Sequence, residues 1–76
     1  MNKARRKELT DIYHGIAELM ERLEIVLDEE QECLDNIPEN LQGSERYERA
    51  ENAVSSLESA FDSLSEAFDY IDAAQE

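Results

Sequence analysis

Asp11 and His14 stand three residues apart, a spacing that puts a carboxylate and an imidazole on one face of a helix and could supply half of a metal site in a helix-bundle core. The chain holds a single histidine, however, and the inward-facing glutamates that complete such a site do not accompany it. His14 therefore reads as a surface side chain, and neither a metal nor any other cofactor is expected. Cys33 falls in an apolar row with no cationic neighbour before Arg46, so it reads as a small buried hydrophobe, not a reactive thiol. Glu30 interrupts the same row. An unpaired carboxylate there would be costly, and Arg46 is the expected partner in an ion pair that fixes register. No Ser/His/Asp arrangement, glycine-rich phosphate loop or paired acid and base stands out. The chain is accordingly expected not to be an enzyme.

The elements that must position these residues are helices. Apolar residues recur at alternating three- and four-residue spacing as Leu9, Ile12, Ile16, Leu19, Leu23 and Val26, then, past Glu30, as Cys33 and Ile37. This is the rhythm of a heptad seam. Tyr47, Ala50, Val54, Leu57, Phe61, Leu64, Phe68 and Ile71 repeat it without a break. Between the runs, Pro38 disfavours helix at Ile37, Gly43 permits positive φ, and Ser44 offers an N-cap beside Glu45. The pattern predicts one all-α domain over residues 1–76, with helix 1 at about 3–36, a turn at about 37–44 and helix 2 at about 45–74. Antiparallel pairing in which facing residue numbers sum to 80 sets Leu9 against Ile71, Ile12 against Phe68, Leu19 against Phe61 and Val26 against Val54. Half of that sum is Asn40, inside the turn that proline and glycine mark independently.

A chain of 76 residues builds a core that rarely leaves more than about 3 to 5 kcal/mol of net stability. With one cysteine and no metal cluster, oligomerisation is the remaining support. Two rows want partners: Tyr13, Met20, Leu27 and Leu34 on helix 1, and Ala53, Ala60, Ala67 and Ala74 on helix 2, with Gly15 roughly opposite Ala67. The expected fold is thus an antiparallel two-helix hairpin, coiled-coil-like, that dimerises into a four-helix bundle through these rows. Strict seam labels put the bulky row and the alanine row on opposite flanks, which leaves open the flank that self-associates.

The formal net charge is -13. Four of the seven basic residues are Lys3, Arg5, Arg6 and Lys7, whereas Glu24 to Glu45 holds eight acids and no base. Repulsion disfavours direct binding to nucleic acid or anionic lipid, and a partner with a basic surface fits better. No apolar run is long enough to span a membrane or form a leader, so the chain reads as cytoplasmic. In the hairpin register the basic N-terminus lies beside Asp69, Asp72 and Glu76, where cross-helix pairing would relieve both clusters. Asp28, Glu29, Glu58, Asp62, Glu66 and Asp69 form the candidate partner-binding acids. Carboxylates on a rigid rod can occupy a basic groove in place of phosphates.

The segment running from Ile37 and Pro38 through Gly43, Ser44 and Tyr47 to Ala53 resembles the turn and second-helix start of short acidic helical-hairpin proteins of Firmicutes and their phages, most of them uncharacterised. The likeness extends through the second helix. It implies a bacterial host cell and a phage or mobile-element setting, where an inhibitor of host defence, of the anti-CRISPR kind, is the expected class. The function expected is therefore a non-catalytic, dimeric binding protein that blocks a basic, nucleic-acid-binding partner. The alternative is a structural coiled-coil oligomerisation protein whose charge serves solubility alone.

Overall fold

The computed structural model describes residues 1–75. Two α-helices, α1 over Lys3–Asp35 and α2 over Glu45–Ala74, flank a single 3-10 turn at Glu39–Leu41. Asn2 caps α1, its side-chain oxygen accepting from the Arg5 backbone N–H at 2.8 Å. Ser44 does the same for α2 by accepting from Tyr47 N–H at 3.2 Å. Each cap satisfies one of the donors that a helix start leaves unpaired. At 1.5 Å per residue the 33 residues of α1 span roughly 50 Å, and the molecule is a rod of 59 × 15 × 14 Å.

Pro38 stops α1 as expected, because the residue before a proline is pushed out of the helical region. The reversal then proceeds through Leu41 N–H to Pro38 C=O at 2.8 Å and Ser44 N–H to Leu41 C=O at 3.1 Å. No glycine has positive φ, so Gly43 contributes no left-handed turn residue. The helices run antiparallel: the rings of Tyr13 and Phe68 stack at 3.9 Å between centroids, and the Thr10 hydroxyl reaches Gln75 Oε1 at 3.2 Å.

That stacking corrects the expected seam. The residue facing Phe68 is Tyr13, not Ile12; one row of the seam moves on by a residue while Leu9, Ile16 and Leu23 keep their place, so the face of α1 turns by about 50°, half the angle between successive residues. Tyr13, Met20 and Leu27 are half-buried and Leu34 is buried, whereas Ile12, Leu19, Val26 and Cys33 are exposed. The row expected to join two hairpins thus lies inside one hairpin, and the row expected inside lies in solvent. Leu9, Ile16, Leu23, Glu30 and Ile37 border both rows and are half-buried. The competition is therefore between Tyr, Met, Leu and Leu on one side and Ile, Leu, Val and Cys on the other. The first set has longer side chains and more apolar area to remove from water, so it takes the seam. α2 presents its expected face: Tyr47, Ala50, Leu57, Phe61, Leu64, Phe68 and Ile71 are half-buried and Val54 is buried.

Three polar expectations also change. Glu30 and Arg46 form no ion pair; among the described residues the ion pair is Arg49 to Glu45 at 2.6 Å, within α2 and largely open to solvent. Glu30 is only half-buried, so water can solvate its carboxylate without a partner. The N-terminal bases make no ion pair with Asp69 or Asp72 among the described residues, and Glu76 lies outside them. Cys33 is an exposed free thiol, because it belongs to the row that the rotation turned outward.

Candidate interaction surfaces

A hairpin this thin has almost no interior. Among the described residues Leu34 and Val54 form the buried apolar core, while Leu19 is 50 % exposed and Val26 46 % exposed. Most of the surface is on the sides of the rod, where the side chains beside the seam lie.

Two antiparallel helices are related by an approximate two-fold axis perpendicular to the plane that contains both. Such a rotation keeps the front of the pair at the front, so equivalent heptad positions of α1 and α2 share a flank. On α1 the residues one before the Tyr13, Met20, Leu27 and Leu34 row are Ile12, Leu19, Val26 and Cys33. On α2 the residues one before the equivalent Val54, Phe61 and Phe68 are Ala53, Ala60 and Ala67. The aliphatic row and the alanine row therefore lie on the same flank. The opposite-flank placement that strict seam labels gave disappears once α1 is rotated. Ala53 and Ala60 are exposed and Ala67 half-buried, and a Cβ built on Gly15, on the same side, meets nothing within 4 Å.

The other flank is acidic. Beyond His14 it carries Glu21, Glu24, Asp28 and Asp35 on α1, and Glu48, Glu51, Glu58, Asp62, Asp69 and Asp72 on α2, all exposed, with no lysine or arginine among them. Of the acids singled out from sequence, Asp28, Glu58, Asp62 and Asp69 come together here. Glu66 sits on the outer back of α2 and Glu29 turns toward the apolar side. The downstream arginines Arg22, Arg46 and Arg49 all lie on the apolar flank or at its edge. This segregation was readable only after the seam was known, since the helical position of every charge is counted from it.

The carboxylates leave a mark on the seam itself. Burial of Tyr13 against Phe68, with Asp72 and Asp69 nearby, raises its hydroxyl above the ordinary tyrosine value. Desolvation and the two negative charges act in the same direction, both opposing the phenolate. His14 stays exposed and meets Tyr13 edge-on at 5.7 Å. At the open end of the rod, Thr10 Oγ lies 2.9 Å from the Arg6 carbonyl and 3.2 Å from Gln75 Oε1, which holds the last turn of α2 against the first turns of α1. At the closed end, a shallow recess of about 320 Å³ is bordered by Cys33, Ile37, Pro38, Leu41, Ser44 and Arg46.

Among the described residues no group of three or more His, Cys, Asp or Glu side chains is placed to hold a metal ion, and no helix is long and apolar enough to cross a membrane. No protein-family model, curated protein or solved structure matches the chain.

Proposed function

We propose that the chain is a non-catalytic interaction protein whose acidic flank occupies a basic, nucleic-acid-binding groove on another protein, as an inhibitor of that protein in a bacterial host cell. The observation that carries this reading is the concentration of ten carboxylates on one flank beyond His14, with every downstream arginine kept off it. A net charge of -13 over 59 Å is one negative charge per about 4.5 Å of rod. Duplex DNA carries one per about 1.7 Å and a single strand one per about 3.4 Å, so the rod's charge density is nearer that of one strand. The fitting groove is thus one that tracks a single strand, where carboxylates replace phosphates and steer rapid encounter.

The test uses the wild-type chain and a Glu58→Lys, Asp62→Lys, Asp69→Lys variant as baits for bacterial nucleic-acid-binding proteins, followed by elution with a single-stranded oligonucleotide. Mimicry predicts a protein held by the wild type, lost at raised salt, displaced by the oligonucleotide and bound at least about a hundredfold more weakly by the variant. Equal retention by both baits, or retention that the oligonucleotide leaves untouched, rejects it. A second reading, a structural oligomerisation protein whose charge serves only solubility, draws support from the exposed Ile12, Leu19 and Val26 row and predicts no such protein at all.

A further inference from the structure

We propose that the flank bearing Leu19, Val26, Ala53 and Ala60 is the interface with a second copy of this chain, formed about a two-fold axis parallel to the rod. The proposal concerns the flank opposite the carboxylates and stands whether or not a basic partner exists.

Area is the first argument. The hairpin exposes 5894 Å², whereas a compact chain of 8.8 kDa exposes about 4,800 Å². One side of the rod, 59 by 15 Å, presents roughly 900 Å² in projection, close to the 800 Å² that each partner gives to an interface of standard size. Charge is the second. Two copies, each at -13, repel at long range, and approach through the carboxylate flank would bring the densest negative charge together. The apolar flank carries Arg5, Arg22, Arg46 and Arg49 against Glu8 and Glu29, so it is positive on balance and is the side on which like copies meet with least repulsion.

Shape selects the symmetry. The apolar flank of each copy carries a bulky row on α1 beside an alanine row on α2, so it is self-complementary only when unlike rows meet. A two-fold parallel to the rod places α1 of one copy over α2 of the other, with Leu19 and Val26 facing alanines and every neighbouring helix antiparallel. A two-fold perpendicular to the rod would set α1 on α1 and crowd bulky rows against each other.

Sedimentation equilibrium on the full chain, without any partner protein, reads the outcome. The wild type should show twice the chain mass, and Leu19→Lys should weaken association at least about a hundredfold, because a lysine would lose its water in the interface. Ala60→Glu should do the same. Ala60 is exposed in the single hairpin, so that variant keeps its folding contacts and remains informative if Leu19→Lys does not fold. Glu58→Lys, on the other flank, should keep the dimer. A wild type that stays at single-chain mass, or an Ala60→Glu chain that stays dimeric, overturns the proposal. A spin label at Asp35→Cys in a Cys33→Ser chain reads the axis: like ends together give a separation under roughly 30 Å, opposite ends about 50 Å. The longer distance overturns the pairing of unlike rows.

Discussion

The two flanks of this rod are made by the same two helices and flank the same seam, yet they differ in almost every side chain. One is a file of carboxylates, the other a stripe of aliphatic and alanine residues with the downstream arginines at its edge. In a globular domain such a contrast would be secondary to the core. Here the core is little more than Leu34 and Val54, so the side positions carry most of the chemistry the chain has. The lesson is that in a two-helix protein the residue row that takes the seam also decides the character of both flanks. A turn of about 50° converts Ile12, Leu19 and Val26 from core to surface and puts them beside the alanines.

The sharpest way to break the comparison is to attack the seam and the apolar flank separately, in an Ala60→Glu background that suppresses association. Leu34→Ala, at a position 8 % exposed, should lower unfolding free energy by about 2 to 4 kcal/mol. That is enough to leave a hairpin of this size largely unfolded by circular dichroism. Leu19→Ala in the same background, at 50 % exposure, should lose less than about 1 kcal/mol. If the two variants melted alike, the rotated seam would be wrong.

Salt should divide the flanks by sign. Raising ionic strength screens the repulsion between two chains of -13 and should strengthen self-association by a few fold, while it should weaken capture of a basic protein by tenfold or more. Both constants moving in the same direction would mean that one flank serves both contacts.

A smaller effect should appear at alkaline pH. The Tyr13 hydroxyl is raised in the folded chain by its burial, Asp72 and Asp69, so folding favours its protonated form. That contribution is fully present below the unfolded tyrosine value of about 10 and is lost as pH rises through the higher folded value. Tyr13→Phe preserves the stacked ring and should blunt the alkaline loss of helical signal. An unchanged alkaline limb would show that Tyr13 plays no part in it. The smallest expected change is at Gly15, where an added Cβ meets nothing within 4 Å. In the Ala60→Glu background Gly15→Ala should raise the melting temperature, by about 0.5 to 1 kcal/mol of added stability. A decrease would place that side of α1 against something even in the single hairpin.

Much of the architecture was legible in the residues alone. Pro38 and Ser44 punctuate the chain through effects confined to a few neighbouring backbone atoms, so the end of α1 and the start of α2 need no knowledge of the rest of the fold. The face of α2 was legible too, because Tyr47, Val54, Phe61 and Phe68 have no apolar rival beside them larger than alanine. α1 offers two complete rows on either side of Ile16 and Leu23, and periodicity fits both equally well. Choosing between them takes the partner helix: Phe68 accepts the flat ring of Tyr13, and the longer row removes more apolar area from water. The acids were likewise countable from the start, but their division into a carboxylate flank and an arginine-edged apolar flank is measured from the seam. The sequence by itself determined two helices, their turn and their excess of negative charge, all properties of local backbone chemistry or of composition. Only the tertiary structure decided which way α1 faces, because that is a comparison of contact energies between helices, and with it which side chains remain for a partner.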